Sequence, residues 1–170
     1  MHVAMMLYTG FRLLEVSGPM DVFHETNRLC GETMYEQHLV GPSPGPVQCS
    51  SGISVDTTEC LRDALPSFDI VVVPGSPMAD PGRLHHELVD WLSDAGRGVR
   101  RLASVSNGAC LVARAGLTDP RCGRDGQLYL SRGATDSIEM ALRLVSQDLG
   151  EETALGVAKS LSRQCNWVRL

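Results

Sequence analysis

The chain has 170 residues and a net charge of −5, with 15 Lys and Arg against 20 Asp and Glu. That length is one domain able to bury a proper core, and basic residues dispersed along the chain argue against nucleic acid as a partner of this chain alone. The apolar start MHVAMMLYTGF has no basic region and breaks at Gly10, too soon for a signal peptide or a membrane span, so a cytoplasmic protein is expected.

Apolar runs of strand length alternate with segments of helical period, the pattern of a parallel sheet covered on both faces. The first strand is expected over Val3 to Tyr8. Ser17, Gly18 and Pro19 then open a helix with Val16, Met20 and Phe23 as its apolar stripe, since proline suits a first helical turn. Tyr35 to Val40 reads as the next strand, and GPSPGP from Gly41 to Pro46 as a turn. Short β segments flank Ser50 to Val55, and a short helix is expected around Thr58 to Ala64.

Asp69 to Val73 is expected as a central strand, since after Asp69 its run Ile70 to Val73 is fully apolar, and it ends in Pro74, Gly75 and Ser76. Asp80 and Pro81 are placed to cap a helix with Leu84, Leu88, Leu92 and Ala95 on one face, stopped by Gly96. Leu102 to Gly116, LASVSNGACLVARAG, reads as a strand running straight into a helix. Leu128 to Ser131 is a short strand, and Thr135 and Asp136 start a helix with Ile138, Leu142, Val145 and Leu149 facing the core. A last helix spans about Glu151 to Leu161, and the tail RQCNWVRL falls into no class.

Ser106 sits at the joint of the Leu102 to Gly116 stretch. Ser104, Ser106 and Gly108 occupy the small, nucleophile and small positions of a nucleophile elbow, a sharp turn that holds a side chain above the sheet. The first N–H groups of the following helix are then placed to stabilise an oxyanion. A serine that merely caps the helix would have its hydroxyl at the same place.

All five histidines (His2, His24, His38, His85, His86) precede Ser106, against the serine, acid, histidine order of an α/β-hydrolase. His85 and His86 fall on the polar side of their helix and are read as solvated, and His24 as outward-facing. The six cysteines (Cys30, Cys49, Cys60, Cys110, Cys122, Cys165) form no C-x-x-C and no Cys/His pair at zinc spacing, so reduced thiols and no metal or other cofactor are expected. Glu15 interrupts the apolar run Leu13, Leu14 and Val16; from the residues alone it is either exposed at a loop tip or turned into a cleft.

The order of motifs resembles the ThiJ/PfpI superfamily, the class I glutamine-amidotransferase-like group that includes isonitrile hydratases and the front domains of AraC-type regulators. The resemblance rests on LLEVSGPMDVF from Leu13, VVVPGS from Val71, SVSNGA from Ser104 and, more weakly, GATDSIEMALRLV from Gly133. It implies a three-layer, flavodoxin-like α/β fold in a single domain, a homodimer and a small-molecule ligand or substrate. It also places Glu15 in the pocket as the acid that touches the elbow residue, favouring the cleft over the loop tip, and lines that pocket with Asn107, Gly75, Ser76 and Gly18.

Two departures stand out. The family's elbow residue is a cysteine, here replaced by Ser106, and neither Cys110 nor Cys122 has the register to stand in. The family also has roughly thirty further residues after the stretch matching Leu117 to Cys122, including a histidine near the nucleophile, whereas this chain continues directly into GRDGQLYLS. Two functional expectations follow from the resemblance. One is an enzyme that adds water to a small electrophile, Glu15 acting as acid and base and Ser106 as nucleophile or its stand-in. The other is a sensor domain with little or no turnover, although the chain lacks the helix-turn-helix region that a complete regulator carries.

Overall fold

In the computed structural model, described for residues 1–63, 68–77, 85–117 and 127–163, the chain forms a six-stranded sheet covered by helices. The elements in order are β1 (His2–Met6), α1 (Leu14–Cys30), β2 (Glu36–Gly41), β3 (Pro46–Gln48), β4 (Ser54–Asp56), β5 (Glu59–Cys60) and β6 (Ile70–Val73). They are followed by α2 (His86–Ala95), β7 (Arg101–Val105), a 3₁₀ turn (Ser106–Gly108), α3 (Ala109–Arg114), β8 (Gln127–Ser131), α4 (Ala134–Leu149) and α5 (Glu151–Arg163). Strand order is β5-β2-β1-β6-β7-β8 and every pairing is parallel. β3 and β4 form a separate antiparallel hairpin.

β6, the run IVVV, is fully buried between β1 and β7, as a central parallel strand must be. From β1 the chain moves outward to β2 on one side, and from β6 it moves through β7 to β8 on the other. Right-handed crossovers in opposite directions put the intervening helices on opposite faces. Accordingly α1 packs with α4 and α5, and α2 with α3. The boundary between β1 and β6 is a topological switch point, and the crevice beyond the carboxyl ends of strands at such a point is the usual ligand site of an open α/β sheet.

Several local expectations are corrected. Helix α1 begins at Leu14, and Pro19 lies inside it. A buried Val16 and hydrogen bonds from the Glu15, Val16 and Ser17 N–H groups to the Arg12 and Leu13 carbonyls wind the chain before the proline is reached. Pro19 has no N–H to give the Glu15 carbonyl, so the first turn of α1 loses one rung of its ladder. Where a helix was expected around Thr58 to Ala64, β5 pairs with β2 at Val40 and Gly41 and extends the sheet; Ala64 lies outside the described residues. In α4 the core face carries Ser137, Met140, Ala141, Leu144 and Val145, and of the expected stripe only Val145 is fully buried. The expected caps Asp80 and Pro81, together with Leu84, Cys122, Cys165 and the tail beyond Arg163, lie outside the described residues.

A pair of the mostly buried Glu25 and the exposed Arg28 reaches from α1 to α5. Arg28 donates to both carboxylate oxygens of Glu25, at 2.7 and 2.6 Å, and to Ser160 Oγ at 3.3 Å. The Arg28 hydrogen bond, assisted by Ser160, lowers the Glu25 pKa from 4.5 to about 2. A lowered carboxylate pKa contributes stability that is complete above 4.5 and lost as pH falls toward 2. The denaturation midpoints of the parent and Glu25→Gln should therefore converge as pH falls through that window, and a constant gap would rule this contribution out.

Candidate functional site

The site is built at the carboxyl ends of the central strands. Register pairs Val73 with Ser104 and Val105 with Ser131; continued along the chain, it sets Gly75 and Arg132 level with Ser106. Among the described residues Ser106 is the one non-glycine with a positive φ, 51°. That is the backbone cost of projecting a side chain from a strand-to-helix turn. Gly108 makes the turn possible, because a Cβ there would stand 2.4 Å from the Val73 carbonyl oxygen and 2.6 Å from that of Pro74.

Glu15, in the first turn of α1, is 1% exposed. Its Oε1 accepts the Ser106 hydroxyl at 2.7 Å and its Oε2 accepts the Gly75 N–H at 2.6 Å. Of the two positions open to it, loop tip or cleft, Glu15 takes the second. Arg12 lies 3.7 Å from the same Oε1. The Ser76 N–H donates to Asn107 Oδ1 at 2.8 Å, and Ser106 Oγ lies 3.4 Å from the Arg132 carbonyl. The structure thus brings Glu15, Ser106, Gly75, Ser76 and Asn107 together. It also assigns the Gly75 and Ser76 N–H groups to side chains of the site itself.

Gly18 is not part of this cluster. It is buried in α1 against α4, where a Cβ would meet Ile138 Cγ1 at 2.8 Å, so its place is a helix-to-helix contact. Cys110 is the second residue of α3 and half-buried. The open cleft over Ser106 has a volume of about 660 Å³ and includes Arg12, Asn107, Leu130 and Arg132 in its wall.

Tyr8, Arg12 and Arg132 were not singled out from the sequence. Tyr8 is buried and donates its hydroxyl to the Pro74 carbonyl at 2.6 Å, fixing the turn that presents Gly75. Burial first, and the neighbouring Glu15 and Cys110 next, push the Tyr8 pKa up, so it remains a donor. His85 departs from its expected solvated role. It stands at the N-cap of α2, half-buried, with its ring 4.6 Å from that of Tyr8, and burial lowers its pKa. His86 and His24 are exposed as expected.

Comparison with known proteins places the fold and the family. The chain is 25% identical to an isonitrile hydratase of Pseudomonas putida, over 91% of this chain and 75% of the relative. It is 24% identical to the HTH-type transcriptional regulator GbdR of Pseudomonas aeruginosa over 92% of this chain, which spans only 49% of that regulator. Among solved structures, a ThiJ/PfpI family protein from Pseudomonas syringae superposes with a TM-score of 0.81 at 18% identity, covering 95% of this chain and 74% of the other. An AraC family transcriptional regulator from Pseudomonas putida superposes with a TM-score of 0.75 at 21% identity, over 95% of this chain and 99% of the other. The sequence model of the DJ-1/PfpI family matches residues 1–122, and the chain belongs to that family.

Proposed function

We propose that the chain is a small-molecule enzyme that adds water to a small, neutral electrophile such as an isonitrile, with Glu15 and Ser106 as its proton-transfer pair. The observation that carries this reading is the buried Glu15 carboxylate held between the Ser106 hydroxyl and the Gly75 N–H, with Ser106 itself in the wall of an open cleft. A carboxylate is too weak a base to ionise a serine hydroxyl outright, so a lasting serine alkoxide has no support here. Proton relay makes no such demand. A water bound at Ser106 gives its proton to Oγ as Oγ passes its own to Glu15, while the water oxygen bonds to the electrophilic carbon. The relay then returns a proton to the substrate. For an isonitrile the sum is R–NC plus water giving R–NH–CHO, with both hydrogens of the water retained and no oxidant or reductant consumed.

Glu15→Gln keeps the shape but cannot take the proton, and should lower turnover by about 10²–10⁴-fold. Ser106→Cys places a more acidic, more nucleophilic group at the same point and should raise it. Assays of both variants and the parent on isonitriles, aldehydes and amides test the reading; no turnover by either the parent or Ser106→Cys refutes it.

A sensor domain is the second reading, favoured by the serine at the elbow, by the two pocket N–H groups already spent within the site, and by the match to GbdR across 92% of the chain. Saturable binding of a small ligand to the parent without turnover supports it. Turnover of that same ligand rejects it.

A further inference from the structure

We propose a second site, for a divalent transition-metal ion, at the opposite end of the sheet from Ser106. It is formed by His2, Glu36 and His38, with Glu59 orienting His38. No spacing in the sequence announces it, because parallel pairing assembles it. Register sets His2 opposite Glu36, and the two-residue period of a strand puts His38 on the same face of β2. One donor atom from each of the three side chains lies within 4.8 Å of the other two.

The hydrogen bonding prepares these groups for a cation. His38 Nδ1 faces Glu59 Oε1 in a close hydrogen bond, and an ionised carboxylate can only accept, so Nδ1 carries the proton. His38 Nε2 is then the lone-pair nitrogen, and it lies 3.0 Å from His2 Nδ1. A carboxylate that fixes the tautomer of a ligating imidazole is the recurrent outer shell of metal-bound histidine. Phe68, with its ring 5.4 Å from that of His38, walls the same side chain. His2 is held from its backbone, whose N–H donates to Asp69 Oδ2 at 2.8 Å.

The distances suit an ion of borderline softness. With metal–nitrogen bonds of about 2.0–2.1 Å, nitrogens 3.0 Å apart subtend roughly 91–97° at the ion, close to the angle of neighbouring ligands in five- or six-coordination. The Glu36 oxygens lie 3.7 Å from His2 Nδ1 and 4.0 Å from His38 Nε2, and this exposed side chain needs only a small rotation to become the third ligand. Two imidazoles and one carboxylate with the remaining positions open to water select Zn²⁺, Co²⁺, Ni²⁺ or Cu²⁺ over Mg²⁺ or Ca²⁺. His2 need only move its proton from Nδ1 to Nε2. The bound ion would tie the first residues of β1 and β2 together, and this site stands independently of the chemistry proposed at Ser106.

The test is titration of the untagged full chain with Zn²⁺ by calorimetry and with Co²⁺ by visible absorption. One ion should bind per chain with micromolar affinity, raising the melting temperature, and the Co²⁺ spectrum should lack thiolate charge-transfer bands. His2→Ala, at an exposed side chain whose loss leaves the fold intact, and His38→Ala should each weaken binding by about tenfold or more, and Glu59→Gln by about 10–100-fold. Cys30→Ser should leave it unchanged. Absence of saturable one-to-one binding, or affinity unmoved in His2→Ala, overturns the proposal.

Discussion

Gly75→Ala is expected to disable the Ser106 cleft while the protein still folds. A Cβ at this position would stand 2.7 Å from Asn107 Oδ1, 2.8 Å from Ser106 Cβ and 2.9 Å from Glu15 Oε2. Three site groups therefore close on a volume that only glycine leaves empty. None can yield alone: Glu15 is held by the Ser106 hydroxyl and the Gly75 N–H, and Asn107 by the Ser76 N–H. Ser106 is fixed by its own positive φ. Relief has to come from moving the Pro74–Gly75 turn, which Tyr8 anchors, or from parting Glu15 and Ser106.

Overpacking of this kind costs about 1–3 kcal/mol, or roughly 2–4 °C of melting temperature per kcal/mol in a domain of this size. If Glu15 and Ser106 act as proposed, the functional cost is larger, since displacing a catalytic group by about 1 Å costs on the order of 10²-fold in rate. Thermal denaturation and the assay that reports on Ser106→Cys measure the two separately. Parent-like turnover or ligand binding in Gly75→Ala would show that the three groups do not act as one unit.

How much of this could be read from the sequence depended on how local each cause was. The IVVV run of β6 and the strand-to-turn passage at Ser106 announce themselves, because complete burial demands an unbroken apolar run and a sharp turn demands small residues. The position of Glu15 did not. A lone carboxylate in LLEV is compatible with either a loop tip or a pocket, and only motif resemblance tipped the reading toward the pocket. The partner that settles it, Ser106, lies 91 residues away.

Pro19 misled for a physical reason. Proline favours the first helical turn, but tertiary burial of Val16 starts α1 earlier and the helix tolerates the lost hydrogen bond. On α4 the polar Ser137 is buried and Ile138 only partly so, although Ile138 packs against the space that Gly18 of α1 leaves open. A helical stripe read from hydrophobicity alone has no access to its neighbour's shape. The same periodic logic assigns His85 to solvent, yet it stands half-buried at the N-cap position of α2 with its ring against Tyr8.

The largest loss of stability should follow Asp148→Ala, far from the cleft. Arg101 at the start of β7 and Asp148 near the end of α4 have side chains each 5% exposed and meet through both terminal guanidinium nitrogens, Nη1 at 2.9 Å from Oδ2 and Nη2 closer still to Oδ1. Tyr35 donates its hydroxyl to the same Oδ2 at 2.9 Å. Burial and the adjacent Asp148 push the Tyr35 pKa up, and the ion pair keeps Arg101 charged against the cost of its own burial. A carboxylate near a helix C-terminus is unfavourable against the helix dipole. Here the buried guanidinium reverses that sign and joins α4 to the sheet.

Removing the carboxylate leaves a buried cation and a buried hydroxyl without their acceptor, a loss of about 3–5 kcal/mol. The double variant Arg101→Met/Asp148→Leu removes both charges and should be less destabilised than Asp148→Ala, because desolvation of the pair opposes much of its attraction. Urea unfolding of the parent, the single and the double variant measures the difference. A single variant within about 1 kcal/mol of the parent, the level of an exposed pair, would mean that water reaches Arg101 and that packing alone holds α4 in place.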